Sequence, residues 1–275
     1  MGSILDGLRI GFIGAGAMAE AMIRGLAGSG CVLAAGDPDP ARRSKAETYG
    51  AAATADNKAL VEGASLVILA VKPQVAPAVL AEVGGLLRPD QTFLSIVAGL
   101  RLVSLCAAAP GVKGVIRAMP NAPAEIGAGV TAVSFARRDA RDEELARAVL
   151  APLGAVVPVP ESLMDAVTGL SGSGPAYVAL FAEALIEAGV KTGLPRPLAH
   201  ELAVRTLLGS ARLLAEGEAP GSLRERVTSP GGTTAYGLYA LERGGLRAAV
   251  SEAVSAAAER AAQLGELSAG RRDIR

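Results

Sequence analysis

Residues 10–19 read IGFIGAGAMA, and this stretch decides the fold. It begins as a buried strand would, and a helical pattern follows through Leu26. Between the two, Gly14 allows a tight turn, Gly16 lets the backbone approach a pyrophosphate, and Ala19 is small enough to pack helix on strand. The helix start offers free N–H groups to phosphates. The stretch predicts dinucleotide binding, with an ordinary strand-to-helix turn as the plainer alternative.

An acidic residue, Asp37, follows the glycines by about 20 residues, at the end of the second predicted strand. A carboxylate there can accept hydrogen bonds from the adenosine ribose hydroxyls, and it should repel a 2′-phosphate. Residues 37–40, DPDP, are also turn sequence. Arg42, Arg43 and Lys58 could offset the charge of Asp37, so the choice between NADH and NADPH stays open.

Short apolar runs alternate with alanine-rich helical stretches from Leu8 to about Pro158. Runs that are apolar throughout are typical of parallel strands covered on both faces by helices. The predicted strands are Arg9–Ile13, Val32–Gly36, Leu66–Val71, Thr92–Val97, Val115–Ala118, Val130–Ser134 and Ala155–Val159, with Ala52–Thr54 uncertain. We therefore expect an α/β protein whose N-terminal domain, residues 1–160, is a Rossmann-like, mostly parallel sheet.

Residues 161–275 are predicted to form an all-helical domain, because apolar residues recur there at helical spacing. One stripe runs from Val178 to Ile186 and is expected to end at Gly189 and Gly193. Further helices are expected after Pro195 and from Leu246 to Leu264. Their faces of small apolar residues are too wide for about 110 residues to cover alone, which favours a homodimer built through this half.

Composition excludes several classes of protein. Lys plus Arg and Asp plus Glu both number 27 among 275 residues, so no net charge attracts nucleic acid or anionic lipid. No apolar run approaches the roughly 20 residues of a membrane span. The first strand starts too early for a signal peptide, so we expect a cytoplasmic location. Cys31, Cys106 and the single histidine, His200, suggest neither a disulfide framework nor a metal site.

A second glycine-rich helix start lies in the helical half, where residues 228–234 read TSPGGTT. Backbone N–H groups and two hydroxyls converge there at a positive helix end, which suits a carboxylate. Plain helix capping is the alternative. A related segment, LSGSGPAY at residues 170–177, opens a long helix; its glycines could admit a neighbouring helix or the nicotinamide end of a cofactor.

Six segments together resemble one enzyme family over nearly the full chain. They are FIGAGAMA (12–19), AVKPQ (70–74), SIVAG (95–99), RAMPN (117–121), LSGSGPAY (170–177) and SPGGTT (229–234). The family is pyrroline-5-carboxylate reductase. The resemblance implies an oxidoreductase acting on CH–NH bonds, which reduces 1-pyrroline-5-carboxylate to L-proline with NADPH or NADH in the final step of proline biosynthesis.

The same resemblance implies a cofactor site. Asn57 would lie beside the adenosine, while Val71, Lys72, Pro73, Ala98 and Gly99 would line the path to the nicotinamide. Met119, Pro120 and Asn121 would lie near the reactive ring. The expected cofactor residues are completed by Gly14, Gly16, Ala17, Met18, Asp37 and Ala70. Two of them depart from the family: Ala17 removes one phosphate contact, and Asp37 puts a strong NADPH preference in doubt.

By the same resemblance, Thr234 is the catalytic residue and would hydrogen-bond the substrate ring nitrogen. The N–H groups of Gly232, Thr233 and Thr234 would bind the substrate carboxylate. Ser229, Gly231 and Thr228 would shape that pocket. The family also implies an interlocked helical dimer, which can assemble into a decamer.

Three other functions are compatible with parts of this sequence. A β-hydroxyacid dehydrogenase has a similar plan but requires a lysine on the helix after the interdomain glycines, and residues 176–183, AYVALFAE, contain none. A dinucleotide-sensing module without turnover is disfavoured by the intact 229–234 segment. A reductase of six-membered imines or of 2-carboxylate isomers stays open.

Overall fold

The computed structural model describes residues 2–270, with side chains as far as residue 266. Eight strands form one sheet: β1 Arg9–Ile13, β2 Val32–Gly36, β3 Ala52–Thr54, β4 Leu66–Leu69, β5 Thr92–Ser95, β6 Gly114–Met119, β7 Gly129–Phe135 and β8 Gly154–Pro158. Their order is β3-β2-β1-β4-β5-β6-β7-β8. All neighbouring pairs are parallel except β6 and β7.

Helices cover both faces of this sheet: α1 Ala17–Leu26, α2 Pro40–Glu47, α3 Asn57–Gly63, α4 Ala76–Val83, α5 Leu102–Ala108 and α6 Ala140–Leu150. Two separate hydrophobic clusters result. One contains Phe12 and Met22, and the other contains Phe93 and Leu105. Because both faces are covered, every residue of β4 and β5 is buried. The predicted α/β class with its mostly parallel Rossmann-like sheet is confirmed.

The later part of the chain is helical: α7 Met164–Val167, α8 Gly174–Lys191, α9 Arg196–Ala215, α10 Pro220–Arg226, α11 Thr233–Arg243 and α12 Leu246–Gly270. By packing, the chain divides into two compact units. One comprises residues up to Ser173 together with the segment from Ala256 onward, and the other is Gly174–Ser255. The predicted domains 1–160 and 161–275 stay a prediction, and Met1 and residues 271–275 lie outside the described part.

The helical unit has a small core of its own. Ile186, Ala199 and Ala203 form its buried hydrophobic cluster among the described residues. Large apolar side chains on α8 and α9 are partly exposed in the single chain, including Phe181 at 37%, Leu198 at 44% and Leu208 at 50%. These helices therefore leave much of their apolar surface uncovered, as the sequence predicted.

Several predicted element ends differ from the structure by a few residues. The fourth and fifth strands end at Leu69 and Ser95, so the apolar residues up to Val71 and Val97 belong to loops at the sheet edge. In α8, Gly189 lies inside the helix, with Ala199 of α9 packed against its Cα, and the left-handed residue after the helix is Gly193, with φ of +102°. Glycine at 189 thus serves helix contact rather than termination.

Among the described residues, no helix combines the length and the apolarity that crossing a membrane requires.

A buried carboxyl group lies at the edge of the sheet away from the glycine turn, and it gives a prediction about how stability depends on pH. Asp142 of α6 accepts a hydrogen bond from Thr92 Oγ1 (3.3 Å), and burial raises its pKa above the usual 3.8. A raised folded-state pKa contributes stability below the unfolded pKa that is lost as pH rises through the folded pKa. We expect Asp142→Asn to gain stability relative to wild type as the pH rises from about 4 to 7, seen as a Tm difference that grows with pH.

Differential scanning calorimetry of both proteins across that pH range measures this difference. A Tm difference that does not change with pH would contradict the assignment. Catalytic activity should be the same in both, since Thr92 and Gly114, which Asp142 contacts, begin their strands at the edge away from the glycine turn.

Candidate active site

A cleft of about 560 Å³ opens where the carboxyl ends of five strands meet, the edge at which open α/β sheets bind ligands. It gathers most of the predicted cofactor residues from separate parts of the chain. They are Gly14, Gly16, Ala17, Met18, Asp37, Ala70, Val71, Lys72, Ala98, Met119 and Pro120.

Four predicted cofactor residues lie outside this lining. Pro73 lines a neighbouring apolar cavity of about 410 Å³. The Asn57 amide nitrogen donates to Glu82 Oε2 (3.3 Å), and Asn121 Oδ1 accepts the Val130 N–H (3.0 Å). Gly99 takes a left-handed conformation, with φ of +73°. The roles of these four residues stay predictions.

The glycine turn has the geometry that a pyrophosphate needs. Gly14 has φ of +95°, and a Cβ there would lie 2.6 Å from the carbonyl oxygen of Ala70. Gly16 directly precedes α1, and a Cβ on it would meet open space. The first N–H groups of a helix have no partners within the helix, so the start of α1 can donate to phosphate oxygens. The residues present therefore fit a dinucleotide.

The Asp37 side chain lines the cleft next to the glycine turn, and hydrogen bonds hold it in place. It is only 5% exposed, follows β2 directly, and accepts hydrogen bonds from the N–H groups of Ala15 and Asp39, both at 2.9 Å. The guanidinium of Arg42 lies 3.5 Å from Asp37 Oδ2. The bond from Ala15 joins the glycine turn to the acidic residue.

Four further residues line the cleft: Pro38, Arg42, Val75 and Ile96. The sequence points to Arg42 for its charge alone, and it gives Pro38, Val75 and Ile96 no role at a binding site. A general rule would have found two of them: Pro38 and Ile96 follow the ends of β2 and β5, and residues after parallel strands meet at one edge.

Met119, which lines the cleft, contacts the chain segment just before α8. A Cβ on Gly172 would lie 2.9 Å from the Met119 methyl carbon. On the same face of β6, the buried Arg117 guanidinium lies 3.1 Å from Glu161 Oε1 and 3.8 Å from Asp165 Oδ1. The segment before Gly174, which includes one turn of π-helix at Thr168–Gly172, is thus fastened to the strand that carries Met119. Isolated π-helical turns often mark functional sites.

Removing the Arg117 cation should destabilise the protein. Glu161 Oε1 also accepts the Leu102 N–H (2.6 Å) at the start of α5, so Arg117→Met leaves a partly buried carboxylate network without its buried cation. We expect a loss of about 2–4 kcal/mol in the free energy of unfolding. Arg138→Met, which removes an exposed ion pair with Glu143, should leave the free energy of unfolding close to that of wild type. Urea denaturation compares the two, and equal losses would contradict the prediction.

The 228–234 segment forms a tight turn into α11. Gly231 is left-handed, with φ of +67°, and the Gly232 N–H donates to the Ser229 carbonyl (3.0 Å). A Cβ on Gly232 would collide with Ser229 Oγ, so the Ser229 hydroxyl could keep its present position only beside a glycine. Thr228 Oγ1 donates to the Arg224 carbonyl (2.6 Å). Thr233 and Thr234 are the first residues of α11, where backbone N–H groups lack partners within the helix.

Comparison with known proteins supports the same interpretation. Residues 161–264 match the family model for pyrroline-5-carboxylate reductase dimerisation, and residues 9–99 match that for NADP oxidoreductase, coenzyme F420-dependent. A pyrroline-5-carboxylate reductase from Synechocystis sp. is 45% identical over 94% of this chain and 99% of its own length.

Two solved structures are similar along nearly their whole length. A Coxiella burnetii pyrroline-5-carboxylate reductase is 33% identical, with a TM-score of 0.85, and the match covers 93% of this chain and 97% of that one. A Plasmodium falciparum pyrroline carboxylate reductase, solved with NADP bound, is 30% identical with a TM-score of 0.84, and the match covers 95% and 99%.

The sheet, the cleft at its carboxyl edge and the helical dimerisation region define an oxidoreductase built on a nucleotide-binding domain. More particularly, the chain belongs to the pyrroline-5-carboxylate reductase family, as its sequence motifs predicted.

Proposed function

We propose that this protein reduces 1-pyrroline-5-carboxylate to L-proline with NADH or NADPH, the final step of proline biosynthesis. The observation that carries the proposal is the full-length similarity to pyrroline-5-carboxylate reductases, together with a glycine turn that fits a pyrophosphate. The reaction is a reduction at a C=N bond. The bound nicotinamide supplies the hydride that the imine carbon accepts.

The cofactor is assigned to the cleft of the sheet. The N–H groups at the start of α1 bind the pyrophosphate, with Gly16 giving close access. Asp37 accepts hydrogen bonds from the ribose hydroxyls. Met119 and Pro120, which line this cleft, would lie near the nicotinamide, and Lys72 and Ala98 would lie along the path to it. Asn57, Pro73, Gly99 and Asn121 are assigned on family resemblance alone.

The substrate carboxylate is assigned to the turn before α11. The N–H groups of Gly232, Thr233 and Thr234 lie at the positive end of an 11-residue helix, a favourable place for an anion. Because Gly231 is left-handed and neither Gly231 nor Gly232 has a side chain, the turn keeps its backbone accessible. Ser229 and Thr228 complete the pocket.

Thr234 is assigned to the substrate ring nitrogen. A protonated imine is already electrophilic, so the protein need only align the ring and accommodate the change of charge at nitrogen as the carbon takes up hydride. A threonine hydroxyl can do this as a placed hydrogen-bonding group. A strong general acid is therefore unnecessary for this chemistry.

The absorbance of reduced nicotinamide tests the proposal directly. The purified protein should oxidise NADH, NADPH or both when given pyrroline-5-carboxylate, and L-proline should form in equal amount. Parallel reactions with a six-membered imine acid and with the 2-carboxylate isomer define ring size and regiochemistry. Turnover confined to one of those analogues would reject the assignment of substrate, and absence of turnover with all three would reject the proposed activity.

A homodimer formed through the helical region is proposed, with a decamer as the larger assembly. The match of residues 161–264 to a dimerisation model and the small core of Gly174–Ser255 support the dimer. Light scattering at micromolar concentration should give at least twice the monomer mass of 27.5 kDa. A monodisperse monomer would overturn this.

The cytoplasm is the proposed location, and neither nucleic acid nor a membrane is a proposed partner. The zero formal net charge gives no general attraction to nucleic acid or anionic lipid. The two free cysteines, Cys31 and Cys106, support the cytoplasm, where thiols are kept reduced. Cell fractionation followed by immunoblotting tests the location.

A further inference from the structure

Asp37 and its surroundings bear on which of the two cofactors is preferred, a question that rests on the proposed function. The two cofactors differ only by a phosphate on the 2′-hydroxyl of the adenosine ribose. That hydroxyl is the group which an acidic residue after the second strand of a nucleotide-binding sheet contacts. The electrostatics around Asp37 therefore decide whether a 2′-phosphate is tolerated.

The Asp37 carboxylate is held in place rather than free to turn away. Oδ2 accepts the Ala15 N–H and Oδ1 accepts the Asp39 N–H, both at 2.9 Å. With the residue 95% buried and both oxygens bonded to backbone, rotation would leave two N–H groups without their acceptors. An arriving phosphate cannot displace this charge by a simple change of rotamer.

The two arginines that follow Asp37 in the chain, Arg42 and Arg43, are already engaged. Arg42 lies 3.5 Å from Asp37 Oδ2 and 3.7 Å from Asp39 Oδ2, so one guanidinium is shared between two carboxylates. Arg43 Nη1 donates to the carbonyl oxygens of Asp37 (2.7 Å) and Pro38 (3.0 Å). Lys72, the other cation lining the cleft, follows β4 on the far side of β1 from Asp37.

From this arrangement we infer that Asp37 makes the protein selective for NADH over NADPH. A ribose 2′-hydroxyl can donate to the fixed carboxylate, whereas a 2′-phosphate would bring up to two negative charges beside it in a partly buried cleft. Like charges that lie side by side repel each other more strongly in a partly buried cleft than in bulk water. Arg42 reduces this repulsion, but it is already paired with Asp37 and Asp39 and so is not an unpaired cation for the phosphate.

Binding of cofactor fragments tests the inference independently of catalysis. Calorimetric titration of the wild-type protein with ADP-ribose and with its 2′-phosphate should give at least about tenfold tighter binding of the unphosphorylated ligand at 0.1 M salt. The ratio of kcat/KM for NADH to that for NADPH should exceed about tenfold in the same direction. Equal binding, or tighter binding of the 2′-phosphate, overturns the inference even if imine reduction is intact.

Two variants assign the effect to the Asp37 charge. Asp37→Ser should lower the preference for ADP-ribose by about tenfold or more, because a small hydroxyl removes the charge and leaves space. Asp90→Ser, the same change at an exposed residue paired with Arg88, should leave the preference as in wild type. An unchanged preference in Asp37→Ser overturns the inference.

Arg42→Ala gives a second measurement that leaves the Asp37 carboxylate and its two backbone hydrogen bonds in place. Its removal should weaken binding of the 2′-phosphate several-fold more than binding of ADP-ribose, because Asp37 then acts unshielded. Stronger binding of the 2′-phosphate in this variant would contradict the proposed electrostatics. Should Asp37→Ser fail to fold, the wild-type ratio and Arg42→Ala decide the matter.

Discussion

Replacing Gly14 with alanine should weaken NADH binding by about a hundredfold or more. The left-handed conformation at φ of +95° is unfavourable for any residue with a side chain, and the new Cβ would stand 2.6 Å from the Ala70 carbonyl oxygen. The loop after β4 must move, and that loop carries Val71 and Lys72 of the cleft. Fluorescence titration of NADH measures the loss, and thermal melting measures the accompanying destabilisation.

Gly16→Ala separates a direct effect on NADH binding from an effect that arises through destabilisation of the fold. Gly16 has an ordinary φ of −72°, and its added Cβ meets open space, so the fold should keep its Tm within about 2 °C. The methyl group instead occupies the place where a pyrophosphate would approach, so NADH binding should still fall. Gly63→Ala, at the end of α3 with free space around it, should change neither. NADH affinity within threefold of wild type in Gly14→Ala would reject the assigned turn.

Thr234→Ala should lower kcat/KM for pyrroline-5-carboxylate by about ten- to a thousand-fold, by analogy with removing one placed donor. The residue lies in the first turn of α11, so the backbone amides that would bind the carboxylate remain. NADH affinity should be unchanged, since the change is confined to the proposed substrate pocket. Steady-state kinetics and NADH titration together measure both quantities.

Thr234→Ser is the matched test of the hydroxyl itself. It keeps the oxygen and should recover most of the lost efficiency. Thr48→Ala removes an exposed hydroxyl that donates to Lys45 at the end of α2 and should leave kcat/KM unchanged. A Thr234→Ala enzyme with wild-type kinetics would remove Thr234 from the mechanism without affecting the assigned family.

Much of the fold can be predicted from the sequence, because local residue patterns determine where the strands and the glycine turns lie. Strands buried on both faces need uninterrupted apolar runs, so the runs beginning at Leu66 and Thr92 identified β4 and β5. Gly14 stood out because its backbone conformation excludes other residues, and Asp37 because a fixed number of residues separates it from the turn. The segment at 229–234 was visible for the same reason, as glycine and helix-start chemistry are local.

Tertiary structure alone decided which of these local features meet. Strand order and the reversed direction of β7 depend on contacts between distant segments, so no single stretch encodes them. The bond from Ala15 to Asp37 spans 22 residues, and the ion pair of Arg117 with Glu161 spans 44. Periodicity predicts where a side chain lies on its own element, but its electrostatic partners come from whichever elements pack beside it. For that reason the sequence determined the class of protein and its glycine turns, while folding determined the fixed carboxylate and the shared Arg42.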